Sequence, residues 1–245
     1  MTNLIIDIGN SRAKAAVMSE GCSAVEYVTK ECSEAWLEQL FSLHSAIDRA
    51  IVSSTGIDTA WICRWLEQRV EYVVAFSPAT TPLPIGNDYL TPETLGADRI
   101  AAAVGVWAMY GEGDVLIVDF GTAITIDYVE GGRFKGGNIS PGMTTRFRAL
   151  RDYTARLPLC SATEEVLVYG RTTREAIEQG VMQGITHEIE GYITSFSQEK
   201  EKIYTIFTGG DAKYFVKRIK NAIFADCEPV IFGLNTILDY NAKRR

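Results

Sequence analysis

An aspartate closing a buried apolar run, then a glycine-containing turn, then a second apolar run: this chain contains that arrangement twice. The first copy is Asp7-Ile8-Gly9-Asn10-Ser11, set between Asn3–Asp7 and Ala13–Met18. The second is Asp119-Phe120-Gly121-Thr122-Ala123, set between Asp114–Asp119 and Ala123–Val129. Short apolar runs bounded by turn residues read as strands, so each copy is a hairpin with an acid at its mouth. A pattern that restarts midway through 245 residues predicts a duplicated molecule. Its two similar lobes are 1–112 and 113–245, with both aspartates aimed into one cleft between them.

The rest of the chain fits α/β layering, because strand-like and helix-like stretches alternate. Helical periodicity marks Glu34–Phe41 and Thr59–Gln68, and Ala50–Ser53 and Tyr72–Ala75 read as buried strands. Thr80–Pro92 is a loop punctuated by proline and glycine, and an Ala-rich helix is predicted from about Glu93 to Tyr110. After the second copy come a strand at Arg133–Ile139, a helix from Pro141 to about Tyr153, and a long amphipathic helix from Thr172 to about Ser197. A strand at Ile203–Phe207, a helix at Ala212–Ile219 and a last helix at Ile231–Tyr240 complete the second lobe. The charge run Glu199-Lys200-Glu201-Lys202 reads as solvated linker.

Composition removes several classes of function. At 47% hydrophobic and 22% charged residues, the chain can bury a full core. Its net charge of −7 argues against a nucleic-acid binder, which needs a basic face to displace counterions. The longest nearly unbroken apolar run, Ile100–Tyr110, is shorter than the roughly 20 residues that span a bilayer. The start of the chain runs straight into a strand without a secretory pattern, and the expected location is the cytoplasm. The 5 cysteines are scattered without a C-x-x-C pair and the 2 histidines, His44 and His187, lie far apart in sequence. Neither a disulfide framework, nor a zinc site, nor a His-based triad has its raw material. Chemistry here must run on carboxylates, backbone amides and a few cations.

The two turns suit a phosphate. Turn amides, with the side chains of Asn10 and Ser11, can donate to phosphate oxygens, and glycine lets the anion come close. Lys14 could reach the same anion, and Asp7 could hold a hydrated magnesium ion, which takes few protein ligands. An ordinary hairpin with a surface lysine would use the same residues. Thr208-Gly209-Gly210, between a strand and a helix, leaves room for a flat ring or is simply a tight turn. The permissive stretch Gly136–Gly142 reads either as an ion site or as a close connection. In Gly96-Ala97-Asp98-Arg99, Asp98 can accept a proton from a substrate hydroxyl while Arg99 binds a polar or anionic group. Charged residues opening an apolar helix can also serve only to pair with each other.

Together these segments, in this order, resemble type III pantothenate kinase across nearly the whole chain. They are Asp7-Ile8-Gly9-Asn10-Ser11-Arg12-Ala13-Lys14, Gly96-Ala97-Asp98-Arg99, Asp119-Phe120-Gly121-Thr122-Ala123, Gly136–Gly142 and Thr208-Gly209-Gly210. Ser11 stands where the family usually has threonine, and both carry a hydroxyl. The resemblance implies two ribonuclease-H-like lobes of the sugar kinase, heat-shock chaperone and actin superfamily, with nucleotide between them. It implies ATP-dependent phosphorylation of pantothenate to 4'-phosphopantothenate, the first step of coenzyme A synthesis.

By the same resemblance, Asp7 to Lys14, Thr122 and Thr208-Gly209-Gly210 would bind ATP. Asp98 would be the proton acceptor, and Tyr89, Gly96, Ala97, Asp98, Arg99 and Thr173 would line the pantothenate site. Asp119 would hold a monovalent cation, potassium or ammonium, with magnesium at Asp7. Thr173 heads the pattern Thr-x-x-Ala-Ile-x-x-Gly that ends at Gly180. The family also implies a homodimer with the helix from Thr173 near the partner. On that helix Ile177, Val181, Ile185, Ile189 and Ile193 form a slowly winding stripe, and Gly180 and Gly184 would let another helix approach; the same pattern also suits a core helix packed within its own lobe. One alternative is another kinase or phosphohydrolase of the superfamily, which does not require Gly96–Arg99 together with Thr173; the other is a non-catalytic nucleotide-binding regulator, against which the intact Asp7, Asp98 and Asp119 argue.

Overall fold

Short apolar runs separated by turns build two mixed sheets in the computed structural model, which describes residues 1–9, 12–19, 25–44, 46–111, 113–199, 203–220, 222–225 and 228–244. Two compact units result, Met1–Gly111 together with Pro229–Arg245, and Glu112–Glu228.

In the first unit, β1 (Thr2–Ile8) pairs antiparallel with β2 (Ala13–Ser19), which pairs antiparallel with β3 (Val25–Thr29). Helix α1 (Glu34–Leu43), opened by Ser33 accepting from Trp36 N at 3.3 Å, leads to β4 (Arg49–Ser54). Helix α2 (Ala60–Glu67) leads to β5 (Tyr72–Ala75), and the strand order is β3-β2-β1-β4-β5. The two-residue β6 (Gly86–Asn87) and a 3-10 turn at Pro92–Thr94 precede α3 (Ala97–Tyr110). Strand alternation divides the sheet's faces. Leu4, Ile6, Ile8, Ala50 and Val52 pack with Leu37, Leu40, Ile62 and Leu66 of α1 and α2. Asn3, Ile5, Asp7, Ile51 and Ser53 take the opposite face, against which α3 and the last helix pack.

The second unit repeats this plan. Strands β7 (Asp114–Phe120), β8 (Ala123–Glu130) and β9 (Arg133–Pro141) form an antiparallel meander, followed by α4 (Met143–Asp152) and α5 (Thr173–Glu199). Then β10 (Ile203–Thr208) runs parallel to β7, and β11 (Ala222–Phe224) runs parallel to β10. The sequence β11-β10-β7-β8-β9 reproduces β5-β4-β1-β2-β3 strand for strand. The predicted duplication is therefore present in topology as well as in the two turns.

Three expectations need correction, and one open alternative, the role of the α5 stripe, is decided. The final helix, α6 (Pro229–Ala242), expected in the second lobe, belongs to the first unit. It packs along α3, where a Cβ on Gly233 would overlap the Ala101 carbonyl oxygen and one on Gly105 that of Pro229. Asn3 Nδ2 ties it to β1 by donating to Asn235 Oδ1 at 2.8 Å and Asp239 Oδ1 at 2.9 Å. The isoleucine stripe of α5 is core of its own unit: Ile177, Val181, Ile185 and Ile189 are buried beside Phe120, Phe207 and Phe215. Only a 3-10 turn, Ala212–Tyr214, and further turns occupy 212–219, because three- and four-residue hydrogen bonds alternate there. The helix expected from Glu93 is interrupted at Leu95-Gly96 and begins at Ala97. No helix among the described residues is long and apolar enough to cross a membrane.

Candidate functional site

The first turn is built by register. Asp7, the next-to-last residue of β1, lies opposite Lys14 on β2 and opposite Ser53 on β4. Beyond it the chain turns back, with Gly9 N donating to Arg12 O at 3.0 Å. Asn10 and Ser11 lie outside the described residues. Ile8 and Ala13 are buried in the core, so only their backbone can serve a ligand, whereas Gly9 and Arg12 are exposed. Gly9 does not adopt a left-handed φ; what it supplies is the missing side chain. Between β1 and β4 the strand order changes direction, which is where open α/β sheets bind ligands, at the carboxyl ends of the strands.

Four of the predicted pantothenate residues come together at the start of α3. Gly96 precedes the helix, and Asp98 Oδ1 accepts from Arg99 N at 2.9 Å. A carboxylate in the first turn also meets the positive end of the helix dipole. A Cβ on Gly96 would lie 2.6 Å from Asp98 Oδ1, so glycine leaves room for that carboxylate. Arg99 is buried, and its guanidinium lies 5.6 Å from the ring centroid of Tyr89, within cation–π range. Ala97 is buried and lends only its backbone.

The second turn is stitched more tightly. Asp119 lies opposite Thr125 on β8 and Thr208 on β10, the same relations that Asp7 has to Lys14 and Ser53. Gly209 has φ +93°, and a Cβ there would overlap Asp119 Oδ1, so this position requires glycine on both counts. Asp211 N donates to Phe120 O at 3.1 Å, joining the Thr208-Gly209-Gly210 turn to the Asp119 turn. Burial pushes the Asp211 carboxyl up, with Lys213 opposing. Thr122 is exposed, while its carbonyl accepts from Gly142 N at 3.0 Å and Thr145 Oγ1 at 2.7 Å. Gly136–Pro141 is thus the end of β9, and Gly142 closes onto the 121–122 turn. Thr173 opens α5 in an exposed position, behind a capping box in which Thr172 Oγ1 accepts from Glu175 N at 3.2 Å.

These donors suit hard cations. Among the described residues no group of three or more His, Cys, Asp or Glu could form a metal cage. Magnesium with few protein ligands fits a single carboxylate such as Asp7 beside the Ser53 hydroxyl. Asp119, held where only glycine fits beside it, is a second strand-end carboxylate of the same kind.

The model of the type III pantothenate kinase family matches residues 3–195. The chain belongs to this family. A type III pantothenate kinase of Phocaeicola vulgatus is 42% identical over 243 residues, covering 98% of this chain and 99% of that protein. Solved structures of much lower sequence identity share the fold. The activator of the 2-hydroxyisocaproyl-CoA dehydratase from Clostridium difficile, solved with bound ADPNP, superposes with a TM-score of 0.56 at 15% identity, covering 100% of this chain and 96% of that one. The ROK hexokinase from Thermus thermophilus does so with a TM-score of 0.51 at 16% identity, covering 99% and 100%.

In this member of the pantothenate kinase family, Ser53 beside the first turn has no local signature: Ala50–Ser53 reads as a plain buried strand, and the side chain facing Asp7 is known only once β4 is paired with β1. The one available signal was the hydroxyl at a strand end, matched by Thr208 in the second copy.

Proposed function

We propose that this chain transfers the γ-phosphoryl group of ATP to the terminal hydroxyl of pantothenate, with Asp98 as proton acceptor. The observation that carries the reading is the cluster at the start of α3, where Asp98, Arg99 and Tyr89 stand together behind a glycine. A carboxylate is too weak a base to ionise an alcohol in advance. Phosphoryl transfer through a loose transition state needs only that the hydroxyl be oriented and its proton taken late. Arg99, buried against Tyr89, is suited to hold the polar end of the acceptor.

In this reading Asp7, Gly9, Arg12 and Lys14, with Asn10 and Ser11, bind the ATP phosphates; Thr122 and Thr208–Gly210 serve the same nucleotide. Bound magnesium at Asp7 and a monovalent ion at Asp119, potassium or ammonium, supply positive charge that offsets the chain's net charge of −7. Thr173 contributes to the pantothenate site. The chain works in the cytoplasm as a homodimer, without nucleic acid or membrane as partner. Supporting the dimer, Gly180 and Gly191 on α5 face open space among the described residues beyond their own helix, and Val166, Val168 and Tyr169 are exposed.

The decisive experiment is ATP consumption with pantothenate against a panel of sugars, in potassium and in sodium. Turnover only with pantothenate, falling sharply in sodium, is expected. Turnover on a sugar would replace the substrate assignment, and equal rates in both salts would remove the ion from Asp119.

A further inference from the structure

Ser53 is 0% exposed, and among the described residues its Oγ has no hydrogen-bond partner. A buried hydroxyl left without a partner is costly, and native structures rarely keep one without use. Its neighbour Ser54 is a contrast, since that Oγ accepts from Gly56 N at 3.2 Å and Ile57 N at 3.0 Å.

The surroundings define what Ser53 can serve. Complete burial keeps its hydroxyl from bulk water and points it among the groups on its own sheet face. On that face Ile51 precedes it along β4, and Ile5 and Asp7 lie on the adjoining β1. Asp7 is the residue directly in register with it, and the carboxylate atom Oδ1 of Asp7 is itself buried. A carboxylate oxygen accepts more than one hydrogen bond, so Ser53 can add to whatever else Asp7 engages. Serine χ1 has three wells and the aspartate χ2 is broad, so both side chains are free to reorient toward one another.

We infer that Ser53 is a positioning residue for Asp7: its hydroxyl takes the buried oxygen of the carboxylate and leaves the other oxygen turned toward magnesium-bound ATP. The inference rests on the kinase reading above. The internal repeat supports it independently, because Asp119 has Thr208, 7% exposed, in the same register on β10. Each strand-end acid thus has one buried hydroxyl beside it on the parallel neighbour.

The test is calorimetric binding of a non-hydrolysable ATP analogue, with and without magnesium, to the parent chain, Ser53→Ala and Ser53→Thr. Ser53→Ala should bind the magnesium complex about tenfold more weakly, the scale of one hydrogen bond to a charged group. It should bind the metal-free analogue and pantothenate like the parent, and without ligands it should melt no lower. Ser53→Thr, which keeps the hydroxyl, should recover the magnesium dependence. Equal affinity of Ser53→Ala and parent for the magnesium complex would overturn the inference while leaving the kinase reading intact. So would a lower melting temperature of ligand-free Ser53→Ala, which marks a structural bond, or a failure of Ser53→Thr to recover. A parent chain that binds no magnesium–nucleotide would sink both.

Discussion

The Asp98 carboxylate is positioned from two sides, by the amide of Arg99 that donates to it and by the missing side chain of Gly96. Asp98→Asn keeps the oxygen that accepts from that amide but loses the capacity to take a proton. The chain should fold unchanged while turnover drops by about 10²–10⁴-fold; steady-state kinetics within a few-fold of the parent would remove Asp98 from the mechanism. Gly96→Ala probes geometry separately. The atom it would crowd is the end of a flexible side chain, so the melting temperature should hold. The displaced carboxylate should slow turnover by up to roughly 10²-fold. Asp211 gives a pH test. Its folded pKa is raised by burial above the ordinary 3.8. Between those two values the folded chain holds the proton more tightly than the unfolded one, so stability falls as pH rises through that window. Asp211→Asn should therefore melt higher than the parent at pH 7, with the gain shrinking as the pH is lowered toward 3.8. Thermal melts across that range decide it, and a lower melting point at neutral pH would refute it.

Between elements, the closest packing is that of α3 on α6, where Gly105 and Gly233 let two backbones touch. Gly233→Ala puts a methyl into the Ala101 carbonyl and should cost about 1–3 kcal/mol or more by overpacking. Urea melts should show this as a lower midpoint for the first unit, and an unchanged midpoint would mean the helices can slide apart freely. The same elements show what a sequence can and cannot reveal. The hairpins were legible because their period is local and each ends in an Asp-x-Gly signature. Strand β3 was not, since Val25 and Val28 are exposed on a strand that pairs on one side only, and no buried face imposes alternation. The apolar residues of α6 foretold a buried helix without saying which sheet it covers; that depends on two glycines far apart in sequence. The α3 cluster was readable as four consecutive residues, whereas Tyr89 entered only through family resemblance. Ser53 needed the register of two strands.

For the whole molecule, the open face of α5 carries the assembly question. The isoleucine stripe is consumed inside the second unit, while a Cβ on Gly184 would meet, among the described residues outside its own helix, only Arg146 Nη1, at 3.9 Å. Arg146 is itself held by Glu188 and by Pro141 O. Gly184→Leu should leave the unit's core undisturbed and weaken a homodimer through steric overlap. Sedimentation velocity at micromolar concentration should show a dimer for the parent and a shift toward monomer for the variant; a parent monomer with full activity would defeat the dimer.

The return of Pro229–Ala242 to the first unit has a consequence for how the chain is made. During synthesis, β1 to β5 emerge early, yet the face that bears Asn3, Asp7 and Ser53 lacks one of its covering helices until the last helix has left the ribosome. At about 5–20 residues per second the intervening segment takes on the order of ten seconds to translate. In that interval the second unit, which is continuous in sequence, can fold to completion, while the first waits with α3 uncovered along its glycine-lined side. The half of the protein that is born first is thus the half that matures last, and an apolar helix surface stands open to chaperones until then.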